Sequence, residues 1–394
     1  MPQRNRRAAG AAGARRDATA RQTRGCEADR AAARRRGSAV RRDEDYAGRP
    51  GAPHRHRAAD RRHSQRADRP PRRAAAAQAD FAAGGGPPAR GEGILTTTTT
   101  TQPVGIQPAG YRLPDEAHIG RVRLQVSDLS ASILYYTRVL GFGVLDQQGS
   151  VAVLGARDGW PLIELHERRG ARPVPRGGRV GLYHFAILLP DRAALGRFVA
   201  HLAEVGAYAG SADHLVSEAL YLNDPDGLGI EVYADRPRAG WKMHGREIAM
   251  ATDPLDLRSL IAAAGDDPWT GMPSGTAIGH VHFHVHTLDE AEAFYQRALG
   301  FDKVVWSYSG ALFFSAGGYH HHVGTNTWAA GASAAAADDA RLLEWELRLP
   351  AATDVAAASG NAATAGFDVR RDKDDYLITD RSGITVRLMQ RSNS

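Results

Sequence analysis

The chain has 394 residues, which allows two or three domains of ordinary size, and a formal net charge of +6. That charge is unevenly placed: residues 1–100 hold 23 Arg, no Lys and 10 acids, about +13, so the remainder carries about −7. The foldable part therefore offers phosphates little attraction, which argues against a nucleic-acid partner, and the absence of any run of 18 apolar residues argues against a membrane one.

Residues 1–110 read as a disordered basic extension. They carry Arg clusters such as Arg34, Arg35 and Arg36 among Ala, Gly and Pro, with too few large apolar residues to offset chain entropy. Three origins are open for the segment: a polyanion-binding arm, a transit peptide, or a reading frame extended upstream of the true start. The acids weigh against a transit peptide, no apolar stretch supports a secretory signal, and the third reading is the one preferred here. The single cysteine, Cys26, lies in this segment. The rest of the chain thus has no disulfide or thiolate ligand, and a reducing cytoplasm is the expected compartment.

Beyond the extension the chain repeats itself. Ile119-Gly-Arg-Val-Arg-Leu-Gln-Val, then Tyr135-Tyr136 and Leu140-Gly-Phe142, returns 159 residues later as Ile278-Gly-His-Val-His-Phe-His-Val, Phe294-Tyr295 and Leu299-Gly-Phe301. A fainter pair, Tyr183 to Pro190 and Leu343 to Pro350, is offset by 160. The halves 115–235 and 276–390 are therefore each two modules, joined by a linker, 236–275. Within a module an alternating apolar segment predicts a strand. Apolar residues at helical spacing (Leu129, Ile133, Tyr136, Leu140; Leu288, Ala291, Tyr295, Leu299) then predict a helix, with the Gly of Leu-Gly-Phe at its C-cap. Short alternating runs follow, including Ser150–Leu154, Leu162–Leu165, Ala311–Ser315 and His320–Val323, and predict three further strands. The unit is βαβββ. In the linker, Leu255–Ala264 predicts a short helix and Trp241 and Trp269 predict packing on the modules, while Ala-rich 329–339 predicts a surface loop.

The densest motif closes the second module: Asp213-His214-Leu-Val-Ser-Glu-Ala-Leu-Tyr221-Leu-Asn-Asp224-Pro-Asp-Gly227-Leu-Gly-Ile-Glu231. Asp224-Pro-Asp-Gly predicts a tight turn that makes the flanking strands antiparallel neighbours and fixes the faces of Tyr221 and Glu231. Together with the paired modules, this run resembles the vicinal-oxygen-chelate superfamily of glyoxalases, bleomycin-resistance proteins and extradiol dioxygenases, most closely the catechol 2,3-dioxygenase type. The resemblance spans nearly all of His118 to Gln390. It implies an α+β architecture in which four tandem βαβββ modules form two glyoxalase- or extradiol-type domains. It also implies an enzyme that uses Fe(II), or Mn(II) as the alternative, to insert O2 into a small aromatic diol; a homo-oligomeric state is left open. Two other readings remain for the fold: a glyoxalase- or isomerase-type metalloenzyme, and a non-catalytic protein that sequesters a drug.

Residue by residue, the resemblance places His184 and Glu231 as two metal ligands, with the second imidazole on the first strand of the partner module. It places His214 as an acid/base residue and Tyr221 as a contact to the substrate hydroxyl. Which modules partner decides the third ligand. If modules one and two pair, its slot holds Arg121, which cannot ligate a metal; if two and three pair, it holds His280. The second arrangement is preferred, since it gives one complete site and leaves Arg121, Glu344 and Arg387 to neutralise one another. His282 and His284 share the His280 face by strand alternation and are given lesser roles. As consecutive strand residues, His320, His321 and His322 are expected to face opposite ways and not to share an ion. Trp306, Phe313, Phe314 and Trp328 are candidates for an aromatic-lined pocket or for plain core.

Overall fold

The computed structural model describes residues 103–391. The first module runs β1 (His118–Val126), α1 (Leu129–Arg138), β2 (Gly143–Gln148), β3 (Val151–Gly155) and β4 (Pro161–Glu167), and the second runs β5 (Gly181–Leu188), α2 (Arg192–Glu204), β6 (Gly210–Asp213), β7 (Ser217–Asn223) and β8 (Gly229–Asp235). A linker follows with the hairpin β9 (Met243–His244) and β10 (Glu247–Ile248) and the helix α3 (Leu257–Ala263). The third module is β11 (Ala277–His284), α4 (Leu288–Ala291, continued by wider π-helical turns over Glu292–Ala298), β12 (Asp302–Val305), β13 (Ala311–Ser315) and β14 (Val323–Asn326). The fourth is β15 (Arg341–Leu349), α5 (Ala352–Thr364), β16 (Val369–Asp372), β17 (Asp375–Thr379) and β18 (Thr385–Gln390).

Local chemistry explains where the helices start and stop. The side chains of Asp128, Asp191 and Thr287 each accept a hydrogen bond from the backbone N–H three residues on, satisfying a donor that the first helical turn leaves free. After α1 and α4 the chain reverses at Gly141 (φ 86°) and Gly300 (φ 90°), a left-handed conformation that favours glycine.

The modules assemble into two eight-stranded sheets, ordered β16-β17-β18-β15-β1-β4-β3-β2 and β12-β13-β14-β11-β5-β8-β7-β6. The first sheet therefore joins modules one and four through β1 and β15, and the second joins modules two and three through β5 and β11. Neither sheet coincides with one sequence half, 115–235 or 276–390, because the antiparallel junctions run between halves. Each strand splits its side chains by the pleat: Phe185, Ile187, Val232, Val281 and Phe283 enter the main core, while His184, Ala186, Glu231, His280 and His282 point to the opposite, curled face. The core faces of the two sheets share one apolar cluster, in which the rings of Phe283 and Trp345 lie 6.1 Å apart.

The linker packs on the second sheet. Trp269 lies beside Phe198 and His201, the Trp241 indole donates to the Arg236 carbonyl at 2.9 Å, and the Glu247 carboxylate caps the N–H groups of Trp306 and Ser307. Of the segment read as a disordered extension, residues 1–102 lie outside the described residues. The stretch from Pro103 to Gly110 differs from that expectation, because Ile106 exchanges two backbone hydrogen bonds with Lys303 of β12. Among the described residues no helix is long and apolar enough to cross a membrane.

Candidate functional site

Register brings together residues that sequence separates. Across the second sheet, His280 of β11 sits opposite Ala186 of β5, Ala186 opposite Glu231 of β8, and Glu231 opposite Tyr221 of β7. His184 lies two residues from Ala186 and so shares its face. One potential ligand atom from each of His184, Glu231 and His280 falls within 4.8 Å of the others, and all three residues are buried.

The Nε2 atoms of His184 and His280 approach the same carboxylate oxygen, Oε2 of Glu231, at 3.0 and 3.2 Å. His280 is in line for a hydrogen bond, whereas neither ring nitrogen of His184 has a hydrogen-bond partner despite its proximity to Glu231. A buried polar atom left in this state is costly unless something completes it. Two donors bound at right angles to one divalent ion, each at about 2.1 Å, lie about 3 Å apart, so the observed spacings suit such an ion. Protonation suits it too. Burial opposes ionisation of Glu231, yet the imidazoles of His280 and His184 hold its carboxyl well below the usual range. Burial presses His280 down to about 4, so its ring is neutral and has a lone pair to give.

This set lies beside a cavity of about 510 Å³, to which His184 and Glu231 contribute directly. Tyr308, Phe313, Trp328 and Met250 form much of its apolar wall, and among the described residues no Arg or Lys lines it. Trp328 is half exposed at 52%, whereas Phe314 and Trp306 belong to the core packing and do not line the space.

His214 and Tyr221 open into the same cavity. The turn after β6 holds Leu215 at φ 68°, an uncommon conformation for a non-glycine residue, and carries His214 at its start. His214 Nδ1 lies 2.7 Å from the Ala251 carbonyl and Nε2 lies 2.5 Å from the Tyr221 hydroxyl. A carbonyl only accepts, so Nδ1 carries a proton, and in that tautomer of the neutral ring Nε2 accepts from Tyr221. Burial and the Glu231 carboxylate push the phenol well above its ordinary value, which keeps it a donor.

Three contributors go beyond what the sequence reading assigns. His282 lines the cavity, with its Nε2 accepting from the Asn326 amide at 3.0 Å, while the same amide's oxygen accepts from His284 Nδ1 at 2.6 Å. Gly324 makes room for that ring, since a Cβ there would stand 2.8 Å from it. The His320–His322 run is loop, β14 beginning only at Val323, so strand alternation does not apply. In that loop the Nδ1 atoms of His320 and His321 meet at 2.7 Å, and His321 lines the cavity. The doublet of glycines at 317 and 318, both at positive φ, is the sequence signal that no strand runs there.

In the first sheet the corresponding face is a network of ion pairs. Glu344 takes Arg387 and Arg123, and Arg121 turns to Glu164 at 2.7 Å and Glu346 at 3.0 Å. The expected trio of Arg121, Glu344 and Arg387 thus becomes a wider cluster: the register of β1 and β15 sets Arg123 opposite Glu344, and Arg121 turns to Glu346, which stands where the second sheet has Ala186.

Comparisons with known proteins agree with this architecture. A model of the Glyoxalase/Bleomycin resistance protein/Dioxygenase superfamily matches residues 118–232. A protein of Bacillus subtilis named Catechol-2,3-dioxygenase is 42% identical over 271 residues, which are 68% of this chain and 94% of that protein. A crystal structure from Bacillus subtilis that carries a provisional dioxygenase name is similar in fold, with a TM-score of 0.51 at 14% identity over 72% of this chain and 87% of that one. On the extent and identity of the sequence match, supported by the paired βαβββ modules, the chain belongs to the glyoxalase/bleomycin resistance protein/dioxygenase superfamily.

Proposed function

We propose that the protein is an extradiol dioxygenase, opening the ring of an uncharged, catechol-like aromatic diol with O2 by means of a divalent ion held by His184, Glu231 and His280. Fe(II) is the ion proposed, in preference to Mn(II). The observation that carries the reading is the convergence of two imidazoles and one carboxylate beside a cavity that the His214–Tyr221 pair also enters. The name of the 42%-identical relative supports it. When bound, such an ion would be chelated by the two diol oxygens and would supply a path for electron density toward O2.

The chain's own residues do the rest. Donors gathered on one side of an ion leave its other side for ligands from the cavity. The aromatic wall of Tyr308, Phe313 and Trp328 accepts a flat ring and excludes water, and the cavity volume is of the order that holds a small ligand. With no Arg or Lys in the described lining, a carboxylated diol would bury its charge without a partner, so a neutral substrate is preferred. Tyr221 orients a diol hydroxyl through its phenol oxygen. His214 Nε2, the acceptor at the end of that contact, takes up a proton and later returns it, while the Ala251 carbonyl holds Nδ1–H in place.

The test is anaerobic loading with Fe(II) followed by oxygen uptake with catechol. Stoichiometric uptake with a yellow ring-opened product is expected. A loaded protein that binds catechol yet consumes no O2, or that turns over an unrelated substrate without O2, contradicts the reading.

A further inference from the structure

Gly210 of β6 is a glycine for which the protein's own packing gives no reason. Four glycines stand in strands of the second sheet with φ outside the left-handed region: Gly210, Gly229, Gly279 and Gly324. Three of them are required by close neighbours, since a Cβ at Gly229 would overlap the Tyr183 carbonyl, one at Gly279 the Tyr233 hydroxyl and one at Gly324 the His282 ring. At Gly210 an added Cβ would meet Tyr221 Cβ at 3.7 Å and the Tyr221 carbonyl oxygen at 4.0 Å, ordinary van der Waals contacts. Glycine weakens a strand through its backbone freedom and tends to be kept where another backbone or a ligand comes close. No backbone comes close here.

The position supplies the other reason. Gly210 pairs with Tyr221 and Tyr221 with Glu231, so the three form one row on one face of the sheet, and all three line the cavity. That cavity calls for a ligand on separate grounds, because His184 lines it, is buried and has neither ring nitrogen in a hydrogen bond. Two strand spacings, about 10 Å, separate Gly210 from Glu231, more than a single diol ring spans. The volume of about 510 Å³ likewise exceeds what an unsubstituted catechol fills. β6 is the edge strand, and its lining residues Gly210, Ser211 and Ala212 carry no charge.

We propose that Gly210 is a specificity-determining residue: the side chain it lacks leaves room beyond Tyr221 for an apolar substituent, such as a short alkyl chain, on the ring of the substrate. That the ring is a diol rests on the proposed function; the open space at Gly210 does not.

Calorimetric titration of the full-length chain loaded with Zn(II), so that no turnover intervenes, tests this with catechol and its two ring-propylated isomers. One propyl isomer should bind at least about tenfold more tightly than catechol, a buried methylene being worth roughly fourfold. Gly210→Val should bring the two affinities to within about twofold of each other, and Gly210→Ala should give an intermediate ratio. Urea-unfolding midpoints of both variants should stay at or above the wild-type value, since nothing opposes the added side chain. Equal affinities in the wild type overturn the proposal, as does a propyl advantage that survives Gly210→Val. Midpoints well below wild type in both variants, or failure of both to fold, would make the glycine structural and overturn it too. The expected pattern in a protein that consumes no O2 would contradict the proposed function and leave the role of Gly210 standing; oxygen uptake with catechol but no propyl preference would do the reverse.

Discussion

The two sheets carry opposite chemistry at matching positions. Where β11 presents His280 and His282, β1 presents Arg121 and Arg123; where β5 has His184, β15 has Glu344; and the slot of Glu231 on β8 is filled on β18 by Arg387. The faces turned to the core do not diverge in this way, since Val122 and Leu124 are buried as Val281 and Phe283 are. Even the buttresses match, with Tyr136 donating to Asp224 at 3.3 Å and Tyr295 to Asp380 at 3.2 Å. The comparison teaches that packing fixes one side of each strand while the other is free to hold either a metal set or charges that cancel. On the first sheet, Glu164, Glu344 and Glu346 pair with Arg121, Arg123, Arg348 and Arg387, and neither slot that holds an imidazole ligand on the second sheet holds one here.

The comparison breaks most visibly if activity does not reside on the second sheet. Tyr221→Phe and His214→Ala should each lower the rate of catechol-dependent oxygen uptake by about 10² to 10⁴ while metal content stays at the wild-type level, because proton transfer is lost and the ligands are not. Equal rates in wild type and variants would show that the pair is a bystander.

Next in size is the ion cluster of the first sheet. Arg121→Ala removes one of the two guanidinium groups on Glu346, which is almost fully buried and keeps Arg348, and should cost about 2 kcal/mol in urea unfolding without altering metal content. A drop in metal content in this variant would blur the division between the two faces.

The shared buttresses give a pH dependence. Burial and the neighbouring Asp226 push Asp224 up to about 7, and burial pushes Asp380 up to about 6. The folded protein thus holds these protons more tightly than the unfolded chain does. Their contribution to stability is full below about pH 4 and is lost as pH rises through about 6 and 7. Asp224→Asn keeps the acceptor for the Asp226 and Leu228 N–H groups and removes the titration, so unfolding midpoints measured from pH 5 to 8 should fall less steeply than in wild type. An unaltered slope would mean that Asp224 ionises freely in the folded state.

The smallest effect is expected at Gly324. An added Cβ would press on the His282 ring, and Gly324→Ala should cost about 1 kcal/mol and disturb the cavity wall. No change in stability or catechol affinity would show that the ring yields without penalty.

Much of this organisation is legible in the amino-acid sequence itself. The constant offset of the repeat, the spacing from His214 through the Asp-Pro-Asp-Gly turn to Glu231, and the His-x-His-x-His pattern on β11 are local periodicities that the pleat converts directly into geometry. What is not legible depends on distant chain or on irregular backbone. The Ala251 carbonyl that fixes His214 is a backbone group from the linker and leaves no mark in residue type. The pairing of Arg121 with Glu346 depends on how two strands of different modules align, which sets Arg123 and not Arg121 opposite Glu344. The position of His321 is hidden for a third reason: the alternating pattern extends a strand three residues into a loop, where alternation has no geometric meaning.

The most direct measurement is the metal stoichiometry of the purified full-length chain after anaerobic titration with Fe(II), compared in wild type, Glu231→Ala and Glu344→Ala. One tightly bound ion per chain is expected, lost in Glu231→Ala and retained in Glu344→Ala. Two ions per chain, or a single ion that survives Glu231→Ala, would contradict the assignment of the metal to the second sheet.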